Sequence, residues 1–206
     1  MITLTSITDP AKLQEYYRFR YRIYNESRNR VFLQGEVGID RDGHDVSARH
    51  FGWYVDGQLG ACQRLLPIRC TEDLYLIDVL DQYARTAVHE FLAAQLGQGY
   101  RVMEGSRTCL APRYRSIANA KQLVLAIVAA SHGEGYDHGL FGCDRSQAAF
   151  YLRLGFELIE GASSIAIEGT GLTKCIMKYD YTRIVERNRE ALQTAALAMH
   201  LVPLAA

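Results

Sequence analysis

The stretch RVMEGSRTCLAPRYRS, residues 101–116, sets Glu104, Ser106 and Arg107 directly after the apolar pair Val102 and Met103. A carboxylate and a guanidinium on a strand entering a core must be paired, hydrated by a cleft, or used in a reaction, because a buried ion without a partner is costly. Strand alternation puts Glu104 and Ser106 on one face and Arg107 on the other. Gly105 changes that expectation, since glycine in a strand often marks a bulge, and an extra residue there swings Arg107 round to the same cleft. Glu104 would then be placed as a base for proton transfer. The competing reading is a salt bridge that fixes strand register.

Two further groups carry chemistry. In FYLRLGFELI a helix ends in Tyr151-x-x-x-Gly155-Phe156 and runs straight into a strand, which offers a phenolic proton beside an aromatic face; an ordinary glycine-capped helix fits the same letters. Arg113, Arg115 and Lys121 flank Ser116, a candidate N-cap, so a phosphate could be held there by arginine and a helix N-terminus. A solvated basic loop is the alternative. The five cysteines are an odd number with no CxxC, and the six histidines lack metal-ligand spacing, so reduced thiols and no metal site are expected.

These residues need a scaffold, and the composition can build one. With 206 residues and 49% hydrophobic, the chain can bury a substantial core, and 23 basic against 23 acidic residues leave no net field to attract nucleic acid. ITLTSI alternates as a strand. Asp9 and Pro10 then open a helix with Leu13, Tyr16, Tyr17 and Tyr21 on one face. Residues 27–49 form a long polar loop that can cover a site. RHFGWYVDGQLGACQRLLPI reads as two antiparallel strands around a two-residue turn at Asp56-Gly57. Helical spacing follows over residues 78–97, with Val79, Leu80, Tyr83, Val88, Phe91, Leu92 and Leu96 as the apolar set. After the strand at 101–110 come a long helix from Ser116 to Gly133, the strand HGLFGCD, the helix RSQAAFYLRLGF, the strands SSIAIE and TKCIMKYDY, and a helix over about residues 182–199. This order predicts an α+β fold, an α/β/α sandwich with helices on both faces of the sheet.

The Tyr151 segment and its place after strand, long helix and strand resemble the GNAT acyltransferase superfamily. The resemblance implies a mixed, mostly antiparallel sheet flanked by helices, and a Tyr151 that protonates a leaving thiolate. The glycine loop that wraps the coenzyme A pyrophosphate in that superfamily is replaced here by LAPRYRSIANA, which has no glycine. An acyl-phosphopantetheine donor on an acyl-carrier protein, with Arg113, Arg115 and Lys121 at the phosphate, therefore fits better than coenzyme A.

The front half is more specific. Arg20-x-x-Ile23-Tyr24, Asp42-x-x-Asp45, ACQRLLP with Arg64, and Glu104-x-Ser106-Arg107 follow one another as in the acyl-homoserine lactone (autoinducer) synthases and the related N-acyl amino acid synthases. The resemblance spans roughly residues 15–120. It implies that Glu104, Ser106, Arg107 and Tyr151 form the catalytic set and that Arg20, Tyr24, Asp42, Asp45 and Arg64 bind substrate. Arg107 and Arg64 would either order the loop through Asp45 and Asp42 or hold the acceptor carboxylate, for which Arg20 is the other clamp. Arg30 and Met103 stand where autoinducer synthases have tryptophans, and Ser47 and His50 after the second aspartate are closer to the N-acyl amino acid synthases.

The resulting expectation is one GNAT-like domain over residues 1–180 with a C-terminal helical extension, 181–206, packed on it. The expected reaction moves a fatty-acyl group from an acyl-carrier protein to a small-molecule amine, S-adenosylmethionine being favoured over a free amino acid. A coenzyme A-dependent acetyltransferase and a non-catalytic acyl-binding module are the alternatives. No resident cofactor, nucleic acid or membrane span is expected, and the location is expected to be cytoplasmic.

Overall fold

A computed structural model describes residues 2–198. In chain order its elements are β1 (Ile2–Ser6), α1 (Pro10–Asn25), β2 (Arg49–Val55), β3 (Gln58–Ile68), α2 (Gln82–Gly97), β4 (Val102–Leu110), α3 (Ile117–Gly133), β5 (His138–Asp144), α4 (Ala148–Leu154), β6 (Glu157–Leu158), β7 (Ile165–Ile167), β8 (Leu172–Asp180) and α5 (Tyr181–Ala198). The strands make a mixed, mostly antiparallel sheet and the five helices flank it, as expected. Among the described residues no helix is long and apolar enough to cross a membrane.

The chain forms two compact units. The first holds residues 2–65, 107–130 and 190–198. Here β1 pairs antiparallel with β2, and β2 with β3. The β2–β3 turn is the one read from Asp56-Gly57: both residues have positive φ, 49° and 77°, the left-handed pair that suits a two-residue hairpin with the twist of its strands. Helix α1 starts where Asp9 and Pro10 predict, with Asp9 Oδ1 accepting from Lys12 N at 2.9 Å. It buries Tyr16, Tyr17, Phe19, Arg20 and Ile23 against Cys62, Cys109 and Leu59. An arginine in that stripe is the first sign that this core is not purely apolar.

The second unit holds Leu66–Ser106 and Ser131–Arg189. There β4 runs parallel to β5, from Val102↔His138 to Gly105↔Phe141, and β5 pairs antiparallel with β8, which also carries β6 and β7. Helix α4 closes on Gly155 in the left-handed conformation (φ 100°), as its sequence predicts. The start of α5 packs on it through Asn188, whose side-chain amide donates to the Leu154 carbonyl at 2.7 Å. Asn188 has non-helical angles and kinks α5. Residues 199–206 of the expected extension lie outside the described residues.

Two expectations need correction. The helical spacing over residues 78–97 is two pieces: a 3-10 turn at Ile77–Val79, then α2, which begins after Asp81 because that side chain caps Ala84 N at 2.8 Å. The buried stripe of α2 is Ala84, Val88 and Leu92, four apart, and this phase leaves Tyr83 74% exposed. The loop over residues 27–49 contains two 3-10 turns, Arg28–Phe32 and Gly43–Val46.

Candidate active site

Strand β4 breaks its own alternation. Glu104 is 1% exposed, Ser106 8% and Arg107 2%, so two consecutive residues point into protein. Arg107 does so from φ 54°, the left-handed region that costs a non-glycine residue about 1–2 kcal/mol. The irregularity anticipated from Gly105 is therefore realised at Arg107. Such strain persists only where surrounding contacts hold it.

Those contacts are ionic. In the first unit three arginines and three aspartates form a closed ring with no side chain more than 2% exposed. Arg20 Nε meets Asp40 Oδ2 at 2.9 Å, and its Nη1 and Nη2 meet the two oxygens of Asp45 at 2.6 and 3.2 Å. Arg64 Nη1 lies between Asp42 (2.6 Å) and Asp45 (3.2 Å). Arg107 closes the ring, with Nε 3.2 Å from Asp40 and Nη2 3.4 Å from Asp42. The sequence folds locally to make this possible: Asp42 and Asp45 cap each other's backbone across the 3-10 turn, Asp42 Oδ1 accepting from His44 N and Asp45 Oδ2 from Asp42 N. Aromatic faces line the ring. The Tyr16 and Tyr17 rings lie 5.3 and 5.5 Å from the Arg20 guanidinium, and the Tyr24 ring 5.2 Å from that of Arg107.

The ring sets its own ionisation. Burial pushes the Asp45 carboxyl up, but the hydrogen bond and charge of Arg20, then the charge of Arg64, outweigh burial and hold it below the ordinary range. His50 lies against the ring with Nε2 3.1 Å from the Asp45 carbonyl oxygen, and burial holds its pKa below the usual value. Arg64 pairs with Asp42 and Asp45, and Arg107 with Asp40 and Asp42, the contacts on which one of the two roles anticipated for these arginines rests. Asp40, which joins Arg20 to Arg107, was not singled out from the sequence; its one signal is its place two residues before Asp42 in IDRDGHD.

Glu104 lies in the second unit. Its Oε2 accepts from the Tyr75 backbone N–H at 2.6 Å, and the carboxylate sits in the wall of a small, otherwise apolar cavity lined by Leu74, Leu76, Leu140, Phe141 and Ile176, among others. Phe141 also packs on Tyr151 with ring centres 4.6 Å apart, and Phe156 closes on both. Burial, then the neighbouring Cys143 and Cys175, push the Tyr151 phenol above its ordinary pKa, so it keeps its proton at neutral pH. The sulfurs of Cys143 and Cys175 are 3.5 Å apart, and all five cysteines are free thiols.

The basic residues read as phosphate ligands are arranged around the start of α3. Arg113 Nη2 donates to Gln58 Oε1 at 2.9 Å and its guanidinium lies 4.8 Å from the Tyr114 ring, while Arg115 Nε donates to the Leu110 carbonyl at 3.1 Å. Both are exposed, and Lys121 is half-buried one turn on. Ser116 caps α3 as predicted, its Oγ accepting from Asn119 N at 3.1 Å. Arg30 is exposed on its 3-10 turn, turned to solvent.

Comparison with known proteins places the fold. Residues 19–125, just over half the chain, match the profile described as an acetyltransferase (GNAT) domain. The chain belongs to the GNAT family. No curated protein matches the GNAT chain by sequence. Among solved structures, the N-acyl amino acid synthase FeeM from uncultured soil microbes is similar at 16% identity over 91% of this chain and 94% of its own, with a TM-score of 0.64. The acyl-homoserine lactone synthase LasI is similar at 12% identity over 100% and 98%, with a TM-score of 0.66. BjaI, a coenzyme A-dependent acyl-homoserine lactone synthase whose structure holds methylthioadenosine, is similar at 17% identity over 98% and 90%, with a TM-score of 0.65. At these identities the likeness shows that the GNAT fold is shared.

Proposed function

We propose that this GNAT chain is an N-acyltransferase that moves a fatty-acyl group from a thioester to the α-amine of an amino-acid-derived acceptor. The observation that carries the reading is Glu104: a buried carboxylate set in the wall of an otherwise apolar cavity. A base beside an apolar pocket is what attack of an ammonium-derived amine on an acyl thioester requires. Glu104 takes the proton from the ammonium, directly or through a water, and the freed amine attacks the thioester carbonyl. The carbon–nitrogen bond forms, the carbon–sulfur bond breaks, the leaving thiolate takes the phenolic proton of Tyr151, and the second proton shed by the new amide nitrogen restores the phenol through solvent. The ion ring contributes rigidity, fixing the loop over residues 33–48 and presenting Tyr24.

For the donor, the segment between Leu110 and Lys121 has no glycine to wrap a pyrophosphate, and two exposed arginines stand at the start of α3. Both features favour phosphopantetheine on an acyl-carrier protein over coenzyme A. For the acceptor, S-adenosylmethionine is favoured, because Arg30 turns to solvent and so leaves the sulfonium unopposed. A free amino acid is the second reading, favoured by His50, which braces the Asp45 backbone at a position shared in the resemblance to N-acyl amino acid synthases.

Incubation of the purified chain with fatty-acyl-loaded acyl-carrier protein, isotopically labelled S-adenosylmethionine in one vessel and mixed amino acids in another, followed by mass spectrometry, tests the proposal. A lactone with released methylthioadenosine supports the favoured acceptor, and a linear N-acyl amino acid without it supports the second. No N-acyl product in either vessel would sink the acyltransfer reading.

A further inference from the structure

The cavity beside Glu104 has room for about one water molecule, roughly 10 Å³, although its walls are apolar. What fills the rest is Leu76. Gly142 on β5 faces Ile176 across the β5–β8 ladder, and the Cδ1 of Leu76 occupies the position that a side chain at residue 142 would take; Leu76 Cγ would lie 3.5 Å and Ile176 Cδ1 3.7 Å from a Cβ placed there. A glycine inside a strand marks close approach of another group, and here that group is a leucine.

Leu76 is delivered by a segment with no ladder of its own. Residues 71–80 are held by turn bonds such as Ile77 N to Leu74 O and Val79 N to Leu76 O, and Leu76 itself is half-buried. Its placement depends on the preceding residue, since Tyr75 N–H donates to Glu104. One carboxylate thus sits in the wall of the cavity and fixes the side chain that limits it. Dense packing around Leu76 is measured in methylene groups, so its size translates directly into the length of chain that fits.

We propose that Leu76, seated over Gly142, sets the acyl length this chain accepts, and that it restricts the donor to short acyl chains. The inference rests on the acyltransfer reading for its substrate class. Shortening Leu76 lengthens the pocket without touching Glu104 or the β5 strand. Filling the glycine instead displaces Leu76 and closes the pocket further.

The test uses the full chain, wild type and Leu76→Ala, with Leu76→Val as the milder change in case the alanine variant folds poorly. Butanoyl, octanoyl and dodecanoyl thioesters are compared as donors, and binding of the same three S-acyl pantetheines is measured by calorimetry. Wild type is expected to prefer butanoyl, and Leu76→Ala to raise the dodecanoyl-to-butanoyl ratio at least tenfold in both transfer and binding, with Leu76→Val between them. An unchanged ratio in both measurements overturns the proposal. A shift in binding without any transfer would uphold the role of Leu76 while removing the proposed reaction.

Discussion

Arg20 Nε donates to Asp40 Oδ2 at 2.9 Å, with both side chains shut off from solvent. Asp40 also receives Arg107, so it joins the α1 and β4 sides of the ring directly. Removing it leaves two buried guanidinium groups short of a counter-charge. Asp40→Ala is expected to destabilise the protein by about 3–5 kcal/mol. Urea denaturation of the two proteins measures this, and a loss below about 1 kcal/mol would show that water or neighbouring aspartates replace the carboxylate.

Glu104→Gln keeps shape and an acceptor oxygen for Tyr75 N–H but cannot take a proton at neutral pH. Turnover is expected to fall on the order of 100-fold or more while the folded state survives. Steady-state kinetics alongside far-UV circular dichroism separates the two effects. Near-normal turnover would return Glu104 to a structural role.

Acid should weaken the protein in two stages. Burial holds the His50 pKa below its ordinary 6.5, so the unfolded chain takes up that proton first, and the stability His50 contributes is whole above about 6.5 and lost as pH falls through its folded value. The Asp45 carboxyl, held below 3.8, contributes stability that is whole above that value and lost as pH falls through its own lower one. His50→Gln should flatten the first stage and leave the second. Equal slopes for variant and wild type between pH 7 and 5 would assign the first stage to another group.

The exposed pair at the start of α3 gives a prediction about the donor. Arg113→Glu with Arg115→Glu is expected to raise KM for an acyl-carrier donor by about tenfold at low salt, with much less effect on a free acyl-phosphopantetheine, because surface charges act through encounter with an acidic partner. An equal effect on both donors would place these arginines at the phosphate alone.

How much of this was legible in the sequence depends on how local the cause is. The Asp56-Gly57 turn, the Asp9-Pro10 helix start and the Gly155 cap are set by the dihedral preferences of one or two residues, and each is found where it was read. Arg107 stood out as a charge on an apolar strand, and Arg20, Asp42, Asp45 and Arg64 through the family resemblance, yet Asp40 did not, because its arginine partners are 20 and 67 residues away. Tyr83 misled the helix reading for a related reason: a cap at Asp81 resets the phase, and hydrophobic spacing alone does not register caps. The seating of Leu76 on Gly142 joins segments that only the folded sheet brings together.

The ring of three arginines and three aspartates has an arithmetic of its own. Six ionised groups of equal and opposite number alternate around one circuit, so any single exchange to a neutral residue leaves an odd charge indoors. Tolerated change at these positions therefore comes in even steps, one cation leaving together with one anion. Drift at residues 20, 40, 42, 45, 64 and 107 should be paired drift, and a descendant of this chain that has lost one member of the circuit should be found to have lost its neighbour too.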